Sequence, residues 1–222
     1  MILPFETHPA LGRSDFVEGP SNRAALAAID GWRDWPGQKL ALIGPPATGK
    51  SHLAAIWAGL TDAQTLAPDA LEAADPTELA GAPLLIEDAN RLLVDAEAGS
   101  PGRETALFHL LNAFAATGQP LLLTARTAPA RWTVALPDLA SRLSAIPLVQ
   151  IAPPDDALLH DLLVKHFADR GVVPSEPLLA FMLRRMERSA RAAAELVAQL
   201  DRAALAAKAP LSVPFARRVL GW

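Results

Sequence analysis

Gly44-Pro45-Pro46-Ala47-Thr48-Gly49-Lys50-Ser51 reads G-x-x-x-x-G-K-[ST]. A nucleotide triphosphate carries several negative charges that must be held without steric clash, and this spelling meets that need. The two glycines let the backbone turn tightly, so that successive N–H groups face phosphate oxygens. The helix that follows, entered through His52, aims its positive end at the same spot. In such a loop, built here of Pro45, Pro46, Ala47 and Thr48 between the glycines, Lys50 reaches the outer phosphates and the Ser51 hydroxyl ligates Mg²⁺. A glycine-rich turn with a stray lysine is the competing reading. The flanks argue against it: Lys39-Leu40-Ala41-Leu42-Ile43 suits a buried parallel strand, and His52 to Ala58 is a good helix former.

Some forty residues on, Pro83-Leu84-Leu85-Ile86-Glu87-Asp88-Ala89-Asn90 is an apolar strand ending in two carboxylates. Mg²⁺ prefers oxygen ligands and keeps its waters, so Glu87 and Asp88 beside Ser51 suit it, one holding the metal and the other orienting an attacking water. Leu121-Leu122-Leu123-Thr124 is a further buried strand. In a parallel sheet its end lies beside the carboxylates, where Thr124 either senses phosphate or caps the strand. Leu136-Pro137-Asp138-Leu139-Ala140-Ser141-Arg142-Leu143 predicts a short helix opened by proline and an acid. Arg142 projects from it, either as an ordinary solvated residue or as an arginine finger for a neighbouring subunit's phosphoryl transfer.

Composition narrows the classes. The 222 residues are 51% hydrophobic with a net charge of −4, enough for a core and against a broad nucleic-acid-binding surface. The absence of cysteine excludes disulfides, thiol catalysis and Cys-zinc sites. The sequence holds no apolar run of membrane-spanning length, and Met1 to Glu6 has neither the basic start nor the apolar stretch of a signal peptide. A soluble cytoplasmic protein is the expectation. Histidine spacing suggests no metal site beyond Mg²⁺.

In chain order, residues 1–15 form an arm whose start, Ile2-Leu3-Pro4-Phe5, either packs on its own domain or serves a partner. Residues 16–152 are expected to form an α/β nucleotide-binding domain. In it, Phe16-Val17-Glu18-Gly19-Pro20-Ser21-Asn22 precedes a helix from Asn22 to Asp30 with Ser21 at the N-cap, and either lines the base or merely turns. Residues 153–222 change period into helices over Asp155–Asp169, Ser175–Arg188, Ser189–Ala207 and Val213–Leu220. Arg191 falls in the first turn of the third, a poor place for a cation and therefore a candidate for reaching nucleotide phosphates.

This arrangement resembles an AAA+ ATPase, and more finely the DnaA and Hda family of bacterial replication proteins. Phe16 to Asn22 is similar to that family's opening motif beside the nucleotide, and Leu136 to Leu143 to its finger segment. Gln199-Leu200-Asp201-Arg202-Ala203 and Val213-Pro214-Phe215 are similar to the end of its lid. The resemblance spans residues 16–220. It implies an α/β P-loop sheet with a small all-helical lid, and ADP or ATP with Mg²⁺ held by the loop, Val17 and the lid sensor Arg191. It also implies that Arg142 acts in trans on ATP bound by DnaA. Residues 2–7 would dock on the DNA polymerase III sliding clamp, although Ile2 stands where that motif has glutamine. Glu87-Asp88 in place of paired aspartates, and Arg126 where an aspartate is usual, imply slow or absent hydrolysis by the chain itself. DnaA carries a helix-turn-helix domain after its lid, whereas this sequence stops at Gly221-Trp222, so the expectation is an Hda-like regulator without sequence-specific DNA contact. Self-association into a homo-oligomer is compatible with it. The rivals are a DNA-associated AAA+ loader or transposition helper, which would need a basic channel, and a small-molecule P-loop kinase.

Overall fold

The computed structural model describes residues 12–94 and 101–222. Backbone contacts divide them into two units. One takes the described residues up to Phe16, those from Ala24 to Gly44 and those from Gly49 to Ile151; the other takes Val17–Arg23, Pro45–Thr48 and Ala152–Trp222.

The first unit is a five-stranded parallel sheet of β1 (Lys39–Ile43), β2 (Gln64–Leu66), β3 (Leu84–Ile86), β4 (Leu121–Ala125) and β5 (Leu148–Gln150), in the order β2-β3-β4-β1-β5. Lys39 pairs with Leu121 and Ile43 with Ala125, so β1 and β4 run in step to the same end. The helices of this unit are α1 (Arg23–Asp30, all but its first residue in this unit), which precedes β1, and α2 (Lys50–Thr61), α3 (Pro76–Leu79), α4 (Arg91–Val94), α5 (Pro101–Thr117) and α6 (Pro137–Ser144) between the strands.

Continuous apolar strands are what a sheet covered on both faces requires, and period-two geometry deals their side chains to opposite sides. Ala41, Ile43, Leu84, Ile86, Leu121 and Leu123 join Leu107, Leu110, Leu111 and Phe114 of α5 and Leu139 and Leu143 of α6. Leu40, Leu42, Leu85 and Leu122 join Leu26 and Ile29 of α1 and Leu53, Ile56 and Trp57 of α2 on the other face. Trp35 stacks on Trp57 there, with ring centroids 5.5 Å apart.

The second unit packs α7 (Asp156–Ala168), α8 (Glu176–Leu183), α9 (Ala190–Ala207) and α10 (Val213–Leu220) around Leu163, Phe167, Phe181, Met182, Val197 and Phe215. Asp155, Ser189 and Ser212 each accept a backbone N–H with the side chain at the start of α7, α9 and α10. The helix predicted over Ser175–Arg188 is shorter. It ends at Leu183, and Ser175 at its N-cap makes no side-chain cap bond. Beyond it the chain turns and buries Met186 in the core, so tertiary packing overrides helix propensity.

Candidate functional site

The phosphate loop leaves β1 under constraint. The Gly44 N–H donates to the Ala125 carbonyl at 3.2 Å, extending the β1–β4 ladder into the loop's first residue. Ala47 (φ 58°) and Gly49 (φ 101°) are both left-handed. Glycine takes such a backbone freely, whereas alanine there stores strain, a feature that gathers at functional loops. Thr48 Oγ1 donates to the Pro45 carbonyl at 3.0 Å. The Ala190 N–H, opening α9, donates to the Ala47 carbonyl at 3.3 Å. Ser51 is exposed in the first turn of α2.

Lys50 is only 8% exposed, and its ammonium donates to the Gly44 carbonyl at 2.9 Å. Burial pushes its pKa down; Asp88 and Glu87 act the other way, and Arg126 adds to the fall. The lysine therefore feels the field of both carboxylates.

Those carboxylates leave β3 in a turn, Glu87 half-buried and Asp88 exposed with φ 48°. Thr124, at the end of β4, holds the turn: its Oγ1 accepts the Asp88 N–H at 3.0 Å and its carbonyl the Ala89 N–H at 2.7 Å. Asn90 Oδ1 accepts the Arg126 N–H at 3.3 Å. Because β4 lies between β1 and β3, Thr124 stands at the strand end between loop and carboxylates. The oxygens of Ser51, Glu87 and Asp88 are hard donors of the kind Mg²⁺ takes, and a set this small leaves the ion most of its waters. Among the described residues no group of three or more His, Asp or Glu could form a denser metal site.

Beside the loop, Phe16 meets the His52 ring edge-on at 5.2 Å, and the position a Cβ would take on Gly49 lies 3.5 Å from the Phe16 ring. Val17 opens the following segment, and Asn22, not Ser21, shapes it. Asn22 Oδ1 accepts the Gly19 N–H at 2.8 Å and its amide donates to the Val17 carbonyl at 2.9 Å. Ser21 Oγ is buried with no hydrogen-bond partner among the described residues, so the predicted Ser21 cap does not form. Arg191 is exposed at the start of α9 and donates to Glu195 at 2.7 Å, which raises its pKa. That pair relieves the unfavourable dipole position locally.

Arg142 lies in the last turn of α6, exposed, its guanidinium 5.2 Å over the Phe108 ring. Among the described residues no carboxylate pairs with it. Its charge, after burial, helps depress the pKa of Lys39, so two cations share one neighbourhood. The base of α6 is fixed by Glu104 of α5, which is 5% exposed and whose two oxygens accept the N–H groups of Ala135 and Leu136 at 2.9 to 3.0 Å. Sequence reading missed Glu104 and the bridging role of Asn22, and it quoted Phe16 only as part of the opening segment. An acid three residues into a helix and a polar cap residue were visible signals, but their partners were not. Ile2, Leu3, Pro4 and Phe5 lie outside the described residues.

Residues 156–220 match the family model described as "Hda, lid domain". The chain is similar to domain III of the Thermotoga maritima replication initiation protein DnaA, at 20% identity and a TM-score of 0.77 over 96% of each chain. It is similar to AMPPCP-bound DnaA from Aquifex aeolicus, at 14% identity and 0.69 over 83% of this chain and 63% of that one. It is also similar to the Thermotoga maritima RuvB Holliday junction branch migration motor, at 18% identity and 0.70 over 96% and 72%. Residues 156–220 thus match an Hda lid, and the chain as a whole has the fold of DnaA domain III and of RuvB.

Proposed function

We propose that this chain binds an adenine nucleotide with Mg²⁺ at residues 44–51 and stimulates ATP hydrolysis by DnaA through Arg142. Support for the nucleotide comes from the strained loop, the buried Lys50 and the two carboxylates coupled to it, beside relatives solved with AMPPCP. Bound Mg²⁺ would neutralise phosphate charge, with Ser51, Glu87 and Asp88 to hold it. Thr124 fixes the turn that carries those acids, and Arg191 is the lid cation free to exchange Glu195 for phosphate.

The observation that carries the regulatory role is Arg142 itself. It is an exposed arginine without a carboxylate partner among the described residues, on a helix whose base is clamped by a buried acid. A surface arginine held this way is prepared to meet an anion on another molecule, as an arginine finger does. Docking of Ile2, Leu3, Pro4 and Phe5 on the sliding clamp belongs to the same proposal, because it would bring the finger to DnaA on DNA. The test is DnaA-catalysed ATP hydrolysis with and without this chain, on DNA-loaded clamp. Stimulation is expected; an unchanged rate at saturating chain would overturn the reading.

The likeness to RuvB favours one second reading, a DNA-associated motor. It requires salt-dependent affinity for DNA by this chain alone, which the net charge of −4 opposes.

A further inference from the structure

Three arginines of the helical unit converge on one cavity. It has a volume of about 720 Å³ and is lined by Arg184 and Arg185 after α8, Arg217 of α10, and apolar Pro177, Ala180 and Val213, with Phe181 at its floor. None of these residues belongs to the candidate site above. Phe181 is 3% exposed, and the Arg185 and Arg217 guanidiniums lie 4.3 and 5.7 Å from its ring centroid. The ring thus orients two cations and covers part of their apolar stems. Among the described residues none of the three arginines pairs with a carboxylate. Arg184 and Arg185 follow the C-terminal end of α8 and Arg217 lies in the last turn of α10, where the dipole welcomes a cation. The dipole accounts for their presence but not for their meeting around a concave, half-apolar surface.

We propose that this groove receives an acidic linear peptide segment of a partner protein. Its carboxylates would pair with Arg184, Arg185 and Arg217, and an apolar side chain would pack on Ala180 and Val213. Arginine clusters recognise acidic motifs through fork-shaped charge-assisted bonds, and a groove of this volume takes a short segment and not a flat face. Single-stranded nucleic acid fits less well. It needs exposed aromatic faces for its bases, and the ring in the lining, Phe181, is buried beneath the cations.

The test is fluorescence anisotropy of the full chain with a short labelled oligoglutamate peptide carrying one central leucine. The expected result is binding that weakens with salt, is absent for the oligoglutamine analogue, and falls about tenfold in Arg185→Glu and in Arg217→Glu. Since those two arginines pack on Phe181, Arg184→Ala, which removes no cation–π contact among the described residues, is measured beside them with thermal melts. It is expected to melt with the parent and still lose affinity. The proposal is overturned by absence of peptide binding, by a folded Arg184→Ala that binds as the parent does, or by an oligothymidylate that binds more tightly than the peptide and is lost in the same variants.

Discussion

The Glu104 carboxylate reaches 31 and 32 residues along the chain to accept the N–H groups of Ala135 and Leu136, the latter at 2.9 Å. Two donors at the foot of α6 that would otherwise be unsatisfied are thereby bound to a buried anion on α5. Removing the acid leaves both without that acceptor. Glu104→Ala is expected to cost about 2 to 4 kcal/mol, read as a shift in the urea midpoint. Glu104→Gln retains one good acceptor and should lose roughly half as much. Equal stability of Ala and parent would refute the clamp.

Arg142 is the complementary case, since it contributes little to its own fold. Arg142→Ala is expected to keep the parental melting temperature and nucleotide affinity while DnaA hydrolysis loses about 10³-fold or more of its stimulation. Arg142→Lys should rescue little, because an ammonium lacks the planar fork. Full stimulation by Arg142→Ala would remove the arginine from the mechanism.

Trp57 is fully buried, and its indole N–H has no hydrogen-bond partner among the described residues. By contrast the Trp35 N–H donates to the Ala28 carbonyl at 2.7 Å. Trp57→Ala opens a large cavity beneath Trp35 and should cost about 3 to 5 kcal/mol. Trp57→Phe discards the orphaned donor along with part of the ring. The two effects oppose, so a net change within about 1.5 kcal/mol by chemical denaturation is expected.

His166 supplies a pH dependence. Burial chiefly lowers its pKa from 6.5, helped by Lys165 and Arg170 and opposed by Asp169. The unfolded chain therefore takes up a proton that the folded chain still refuses. This component of stability is fully present above about pH 6.5, is lost as pH falls below it towards the folded value, and then levels off. Each unit of depression corresponds to about 1.4 kcal/mol. His166→Gln should flatten that part of the stability-versus-pH curve, and an unchanged acid slope would count against it.

What could be read from the chain depended on where its partners lie. The phosphate loop, its strand and its helix are contiguous, so Gly44 to Ser51 announced themselves by spelling alone. The β3 and β4 strands followed from apolar runs, and α6 from Pro137 and Asp138. Glu104 looked like any acid in a helix's first turns, because the amides it binds are remote in sequence. Ser21 and Asn22 are both good capping types, and local chemistry does not rank them; only the folded loop shows Asn22 bridging Val17 and Gly19. The early end of α8 was invisible for a third reason. Arg184 to Arg188 contains no breaker, and burial of Met186 decides the turn.

The strand order also governs how the molecule can be made. Among the described residues β1 has only β4 and β5 as neighbours, and Lys39 meets Leu121 across the sheet. As the polypeptide leaves the ribosome, the strand feeding the phosphate loop stays without a companion until more than half the protein has been synthesised. A nascent chain stopped anywhere before β4 holds an apolar ribbon with both edges bare, a state that invites aggregation and calls for a chaperone. The strand that leads into residues 44–51 therefore gains its first sheet partner late, with the emergence of residues 121–125, and its second later still, with residues 148–150.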